Sequence, residues 1–213
     1  MDLQVPEIIT GRFCENAKIG LFRQSRLEYA NPESHFSFSI PRNWQQIPSE
    51  VIDQVIKAAL SQISSENPNF EAGFQETADY FIRYPYLLIK SYPADRGSIS
   101  KIAKSFSASN FEKAAERLET TALIRNFTSG NPVVDSKRKM VMIGTNLEVA
   151  NIGPIRSLTA ISPGRESVVE FYFYTRLDEY EDDLSVFDQI LDSFRFESGF
   201  EYRDIHPAST SSI

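Results

Sequence analysis

Histidine and cysteine are almost missing from this chain, which has two of the first and one of the second in 213 residues. With Cys14 alone, no intramolecular disulfide can close and no thiolate set for zinc exists. Its neighbours Arg12, Phe13, Glu15 and Asn16 include no histidine to activate it, so Cys14 reads as a small apolar residue. His35 opens an alternating run and His206 lies near the end of the chain, so no i,i+4 histidine pair can form a metal box. The nine glycines never cluster, which excludes a phosphate-cradling loop and a dinucleotide turn. No cofactor is expected. No apolar run reaches the length of about 18 residues that a membrane helix needs. The opening "MDLQVPEIITGRF" has neither a basic start nor an apolar block, so it does not read as a signal peptide. The expected location is cytoplasmic if the chain is complete, and periplasmic or lumenal if a leader has been removed. A net charge of -7 and a pI near 5.0 argue against nucleic acid or anionic lipid as partners, because either calls for clustered Lys and Arg. The one basic cluster, Lys137-Arg138-Lys139, reads as a solvated loop or strand edge.

Aromatic residues are abundant, with 16 Phe and 9 Tyr, which favours a sheet-rich core. In "HFSFSIPRNW", Phe36, Phe38 and Ile40 alternate with Ser37 and Ser39, then Pro41 stops the run and Trp44, the single tryptophan, follows. A helix is expected from Pro48-Ser49-Glu50, where serine caps and proline and an acid suit the first turn. Its residues Ile52, Val55, Ile56, Ala59, Leu60 and Ile63 recur at helical spacing. Phe36, Phe38 and Ile40 are expected to face that stripe, with Trp44 plugging the corner between strand and helix.

"ENPNFEAGF" reads as a loop whose Phe70 and Phe74 tuck down. "YPYLLIKSY" holds an unbroken apolar stretch, the mark of a strand covered on both faces. Two amphipathic helices are expected over Ser98 to Phe106 and Asn110 to Glu119. "TALIRNF", "RKMVMIGTNLEVA", "PIRSLTAIS" and "SVVEFYFYTR" then alternate as the strands of an antiparallel meander. Ser162-Pro163-Gly164-Arg165 suits a type II turn, with Gly164 at the position that needs a positive φ. A final helix is expected near Asp178, with Glu179, Glu181, Asp182 and Asp183 over its positive end and Leu184, Phe187, Ile190, Leu191 and Phe194 as its apolar stripe. The fold class is therefore α+β, a sandwich with helices flanking a central antiparallel sheet. The expected organisation is an N-terminal extension over 1-34, one domain over 35-198 and a flexible tail over 199-213.

Catalytic signals are sparse. Ser98-Ile99-Ser100-Lys101 matches S-x-x-K, which brings an amine near a hydroxyl, but the companion S-D-N and K-T-G elements are absent. The acids from Asp178 to Asp183 lack the alternating ligands and central glycine of a calcium loop. Tyr80, Phe81, Tyr84 and Tyr92 stand out instead as aromatic residues of turn-rich stretches, suited to anchoring a protein partner. Two alternatives stay open. One is a small-ligand or lipid carrier lined by Phe171 to Tyr174, and the other is a hydrolase using Ser98 and Lys101.

An apolar strand closing in Pro-x-x-Trp, "HFSFSIPRNW", and a strand followed by a helix ending IL-x-SF-x-F, "SVVEFYFYTRLDEYEDDLSVFDQILDSFRF", together resemble the PsbP-like family. That superfamily includes an accessory protein of the oxygen-evolving complex, a Ran-binding nuclear-import factor and bacterial DcrB-like proteins. The resemblance covers about residues 35 to 196 and implies an α/β/α sandwich in a protein that binds and assists rather than catalyses. It carries over no functional residue. The stretch from Asn67 to Phe127 is longer than the smallest members require, and this extra material is a place for a specific surface. The expected role is a non-enzymatic binding or accessory module with a protein partner, while the oligomeric state is not set by the sequence.

Overall fold

The computed structural model describes residues 27-60, 69-93, 99-105 and 124-202, with only the backbone described for 55-60. The expected second helix, Asn110 to Glu119, lies outside the described residues, as do Ser98 and residues 203-213.

The protein is an antiparallel α+β sandwich built on two sheets. Among the described residues the larger has eight strands. Along it run β3 (Trp44–Gln46), β4 (Ala72–Glu76), β5 (Tyr86–Pro93), β10 (Ser167–Arg176), β9 (Gly153–Pro163), β8 (Met140–Val149) and β6 (Ile124–Ser129), and β7 (Val133–Asp135) also pairs with β8. The smaller sheet has β2 (Phe36–Ile40) between β1 (Leu27–Asn31) and β11 (Arg195–Phe196). Three described helices complete the fold: α1 (Ser49–Leu60), α2 (Ile99–Ser105) and α3 (Tyr180–Ser193). The expected meander is present as β8, β9 and β10, each antiparallel to the next.

Strand alternation divides the core in two. On the inner face of the large sheet, Phe74, Leu87, Ile89, Leu158, Ala160, Val169, Phe171 and Phe173 pack against Phe36, Phe38 and Ile40 of β2 and Phe187, Ile190 and Leu191 of α3. On the outer face, Tyr86 and Leu88 pack with Ile47 and with Ile52 of α1, while Ile99, Ile102 and Ala103 of α2 lie against Val141, Ile143, Ile161 and Val168. The expected contact between β2 and the α1 stripe is therefore corrected, because α1 closes on the opposite face of the large sheet and β2 meets α3. Trp44 is buried as expected, but it opens β3 and stacks on Phe173 at 6.4 Å between ring centres.

Three further local expectations are revised. "AGF" opens strand β4 rather than lying in a loop, and Gly73 sits where a β-carbon would meet Ile52 Cδ1 at 2.9 Å. That glycine lets α1 approach the sheet. Gly164 does not adopt a positive φ, so the turn is not type II. A β-carbon there would lie 2.7 Å from the Phe196 ring, and it is this packing that selects glycine. Arg138 is not solvated, since it binds Asp135 (3.2 Å), Asp188 (3.1 Å) and Asp192 (2.8 Å) and ties the β7–β8 turn to α3.

Residues 27-31 form β1, and Phe200 stacks on His35 at 3.6 Å while its carbonyl accepts the Arg165 N–H. His35 also pairs with Glu197 at 2.9 Å, so this histidine fastens the turn before β2 to the segment after β11.

Candidate protein-binding loop

Beyond the ends of β4 and β5, residues 77-85 form a loop with a built-in bracket. Gln75, on β4, is wholly buried. Its Nε2 donates to the Tyr80 carbonyl at 2.7 Å, and its Oε1 accepts the N–H of Ile82 at 2.6 Å and of Arg83 at 3.4 Å. Gln45 adds a bond from Nε2 to the Ala78 carbonyl at 3.2 Å, and the Thr77 N–H donates to the Asn43 carbonyl at 2.7 Å. Ile82 sits at φ 61. A β-branched residue in the left-handed region is strained, at a cost on the order of 1–3 kcal/mol that only an over-determined setting sustains.

This bracketed backbone holds two aromatic side chains in water. Tyr80 is 49% exposed and Phe81 is 39% exposed. Tyr84, in the same loop, turns inward. Its ring lies 5.2 Å from Tyr86, which stacks on Tyr174 at 5.0 Å. Burial pushes the Tyr84 hydroxyl above the ordinary tyrosine range, partly offset by its hydrogen bond with Tyr86 and by the nearby Arg176. Tyr92 lies apart from the other three, near the far end of β5. At about 3.3 Å per residue, the six steps from Tyr86 span about 20 Å. Its hydroxyl donates to Glu170 at 3.0 Å, and the other oxygen of that buried carboxylate takes the Tyr172 hydroxyl at 2.5 Å. Of the four aromatic candidates, then, the fold brings Tyr80, Phe81 and Tyr84 together and separates Tyr92.

The alternative readings meet different surroundings. Phe171 and Phe173 enter the inner core, whereas Tyr172 and Tyr174 point to the outer face, so Phe171 to Tyr174 do not line one pocket. Ser98 lies outside the described residues, and its companion Lys101 stands on α2. A half-open depression of about 470 Å³ is bounded instead by Arg125, Glu148 and the β8–β9 turn from Val149 to Gly153. Among the described residues no group of three or more His, Cys, Asp or Glu side chains is placed to hold a metal ion. No described helix is long and apolar enough to cross a membrane.

Gln75, the residue that shapes the loop, carried no sequence signal. A buried glutamine inside "GFQETADYF" looks like any polar residue until its two backbone partners are known. Ile82 was equally silent, because an apolar residue next to Phe81 reads as packing and not as a strained turn.

No family model matches the chain, and no curated protein matches it. Among solved structures it is similar to cyanobacterial PsbP (CyanoP) from Synechocystis sp. PCC 6803, with 12% identity, 85% of this chain and 98% of that chain covered, and a TM-score of 0.49. It is also similar to the Ran-binding protein Mog1p of Saccharomyces cerevisiae, with 7% identity, 82% of this chain and 96% of that chain covered, and a TM-score of 0.42.

Proposed function

We propose that this protein is a non-enzymatic binding or accessory module that recognises a protein partner through the loop 77-85, with Tyr80 and Phe81 as its anchors. One observation carries the reading: a loop held by the buried Gln75 side chain, with strain at Ile82, keeps two large aromatic side chains exposed. Pre-organised aromatic side chains lose little freedom on docking, and such residues dominate the energetics of protein interfaces. Tyr84 supports the loop from beneath, and Tyr92 is a separate exposed aromatic whose hydroxyl Glu170 holds. In the same reading the architecture is an α/β/α sandwich, with α1 and α2 as the outer layer and α3 in the inner one. The net charge of -7 supports a protein partner over nucleic acid.

The test is affinity capture from the native host with the natural chain and with a Tyr80→Ser/Phe81→Ser variant, each captured protein then being titrated in pure form. Both side chains are exposed, so the variant should keep its melting temperature. It should also bind the partner at least about tenfold more weakly. A purified partner that binds both forms equally, or turnover of a small molecule with no partner, would overturn the proposal.

A further inference from the structure

The loop 77-85 does not stand alone at its end of the large sheet. Because β5, β10, β9 and β8 are neighbours in that order, their connections at this end form a row. Tyr86 faces Tyr174, Arg176 faces Ile155, and the Leu177 N–H donates to the Pro154 carbonyl at 3.1 Å. The β10–α3 turn therefore lies between the loop 77-85 and the β8–β9 turn. Each contributes exposed apolar surface, with Leu177 at 45% and Ile152 at 44% beside Tyr80 and Phe81. These four are half of the eight exposed large hydrophobic residues among the described residues, which is a concentration rather than a scatter.

The surround is anionic at its α3 corner. Asp178, Glu179, Glu181 and Asp182 are exposed there, next to Asp183. Burial first, then the charges of Glu179, Glu76 and Asp182, raise the Asp183 carboxyl, so Glu76 of β4 belongs to the same field. Asp79 adds to it from the loop itself. The opposing cations include Arg42 and Arg83, Arg176, already paired with Asp178 at 3.3 Å, Arg156, whose guanidinium lies 5.2 Å from the Tyr180 ring, and Arg125 beside the β8–β9 turn, where Glu148 also stands. The acids still outnumber them.

Resting on the binding reading above, we infer that this end docks a protein surface that offers an apolar cleft bordered by lysine and arginine. Tyr80, Phe81, Leu177 and Ile152 fill the cleft, and the acids of the α3 corner meet the basic border. Charge complementarity decides the occupant. An anionic membrane surface would be repelled by the same acids. A second copy docked through this end would set one α3 corner near its own equivalent, like charge against like.

The test uses the full chain labelled with 15N and two synthetic helical peptides. One carries leucines on one face and lysines on the other, and its counterpart has glutamate for lysine. The lysine peptide is expected to shift the amides of 77-85, 150-153 and 177-183, and the glutamate peptide to leave them in place. Its Kd should weaken by about tenfold as salt rises from roughly 50 to roughly 300 mM. Glu181→Gln/Asp182→Asn should weaken it several-fold without moving the map.

If both peptides reach 77-85 equally and salt has no effect, the basic border is wrong and the loop survives as a binding surface. If neither peptide reaches 77-85, both readings fall. Shifts confined to 177-183 would mean ion pairing at α3 alone, and self-association mapping to these turns would mean a second copy. Either result overturns the inference.

Discussion

Glu71 shows how much one side chain can decide. It stands just before β4, and its Oε2 accepts from Asn31 Nδ2 at 2.9 Å and from Ser91 Oγ at 2.5 Å. Ser91 also meets Ser34 at 2.7 Å, so this carboxylate joins the turn of the small sheet to the large one. Its Oε1 is buried with no partner. Burial pushes the carboxyl above its ordinary value of 4.5, against the hydrogen bonds from Ser91 and Asn31, with the charge of Glu33 adding a little. Beside it the Tyr29 hydroxyl is pushed up to about 12, by burial and then by Glu71. The folded state therefore holds the Glu71 proton more tightly than the unfolded chain does. Its contribution to stability is fully present below the ordinary glutamate value and is lost as pH rises through the raised one. Glu71→Gln cannot titrate. Urea unfolding of both forms at about pH 4 and pH 7 should show the balance shifting toward the glutamine variant at the higher pH. A difference between the two forms that stays constant with pH would refute this account.

At the scale of elements, the loop 77-85 depends on one strand residue. Replacing Gln75 with leucine keeps its bulk and removes the partners of the Ile82 N–H and the Tyr80 carbonyl. Leaving buried backbone groups unpaired costs about 1–3 kcal/mol each. The variant should lose stability on that order and, in hydrogen exchange, the Ile82 and Arg83 amides should exchange faster while those of β10 change less. Unchanged protection at Ile82 would show that the loop is held by something else. The elements differ in how far the sequence exposed them. β2, α1 and α3 were legible because their apolar residues recur at one period on one face, and β10 because its run of β-branched and aromatic residues is covered on both. β4 was not, because Gly73 and the Asn and Pro before it read as a loop, and the reason for the glycine is Ile52 on another element. Arg138 was misread for the same reason, since two of its three partner acids lie on α3, far along the chain. At the candidate site, Tyr80 and Phe81 could be picked out as aromatics, whereas the Gln75 bracket depends on pairing between strands and turns that no local pattern encodes.

At the scale of the molecule, the two sheets share one core, and this makes a claim about cooperativity. Phe38 of the small sheet meets Phe74 at 6.0 Å and Phe171 at 5.4 Å, both on the large sheet, and both contacts are edge-on. Phe194, at the end of α3, touches Phe36 and Phe171, so the chain that leaves α3 toward β11 is bound to both sheets. These rings all belong to, or pack against, one apolar cluster. A small sheet held in this way cannot peel off without opening the large one. Phe38→Ala should therefore cost about 3–5 kcal/mol, because a fully buried ring leaves a cavity between two sheets that cannot both relax into it. The consequence is visible from the other sheet. Trp44 opens β3 and stacks on Phe173, so it reports from within the large sheet, while far-UV circular dichroism reports on all strands and helices. In denaturant, the tryptophan signal and the dichroism of the variant should move to a lower midpoint together and remain coincident. An early step in dichroism with the Trp44 midpoint left in place would show that the small sheet is a separate flap, and the single-core description would fail.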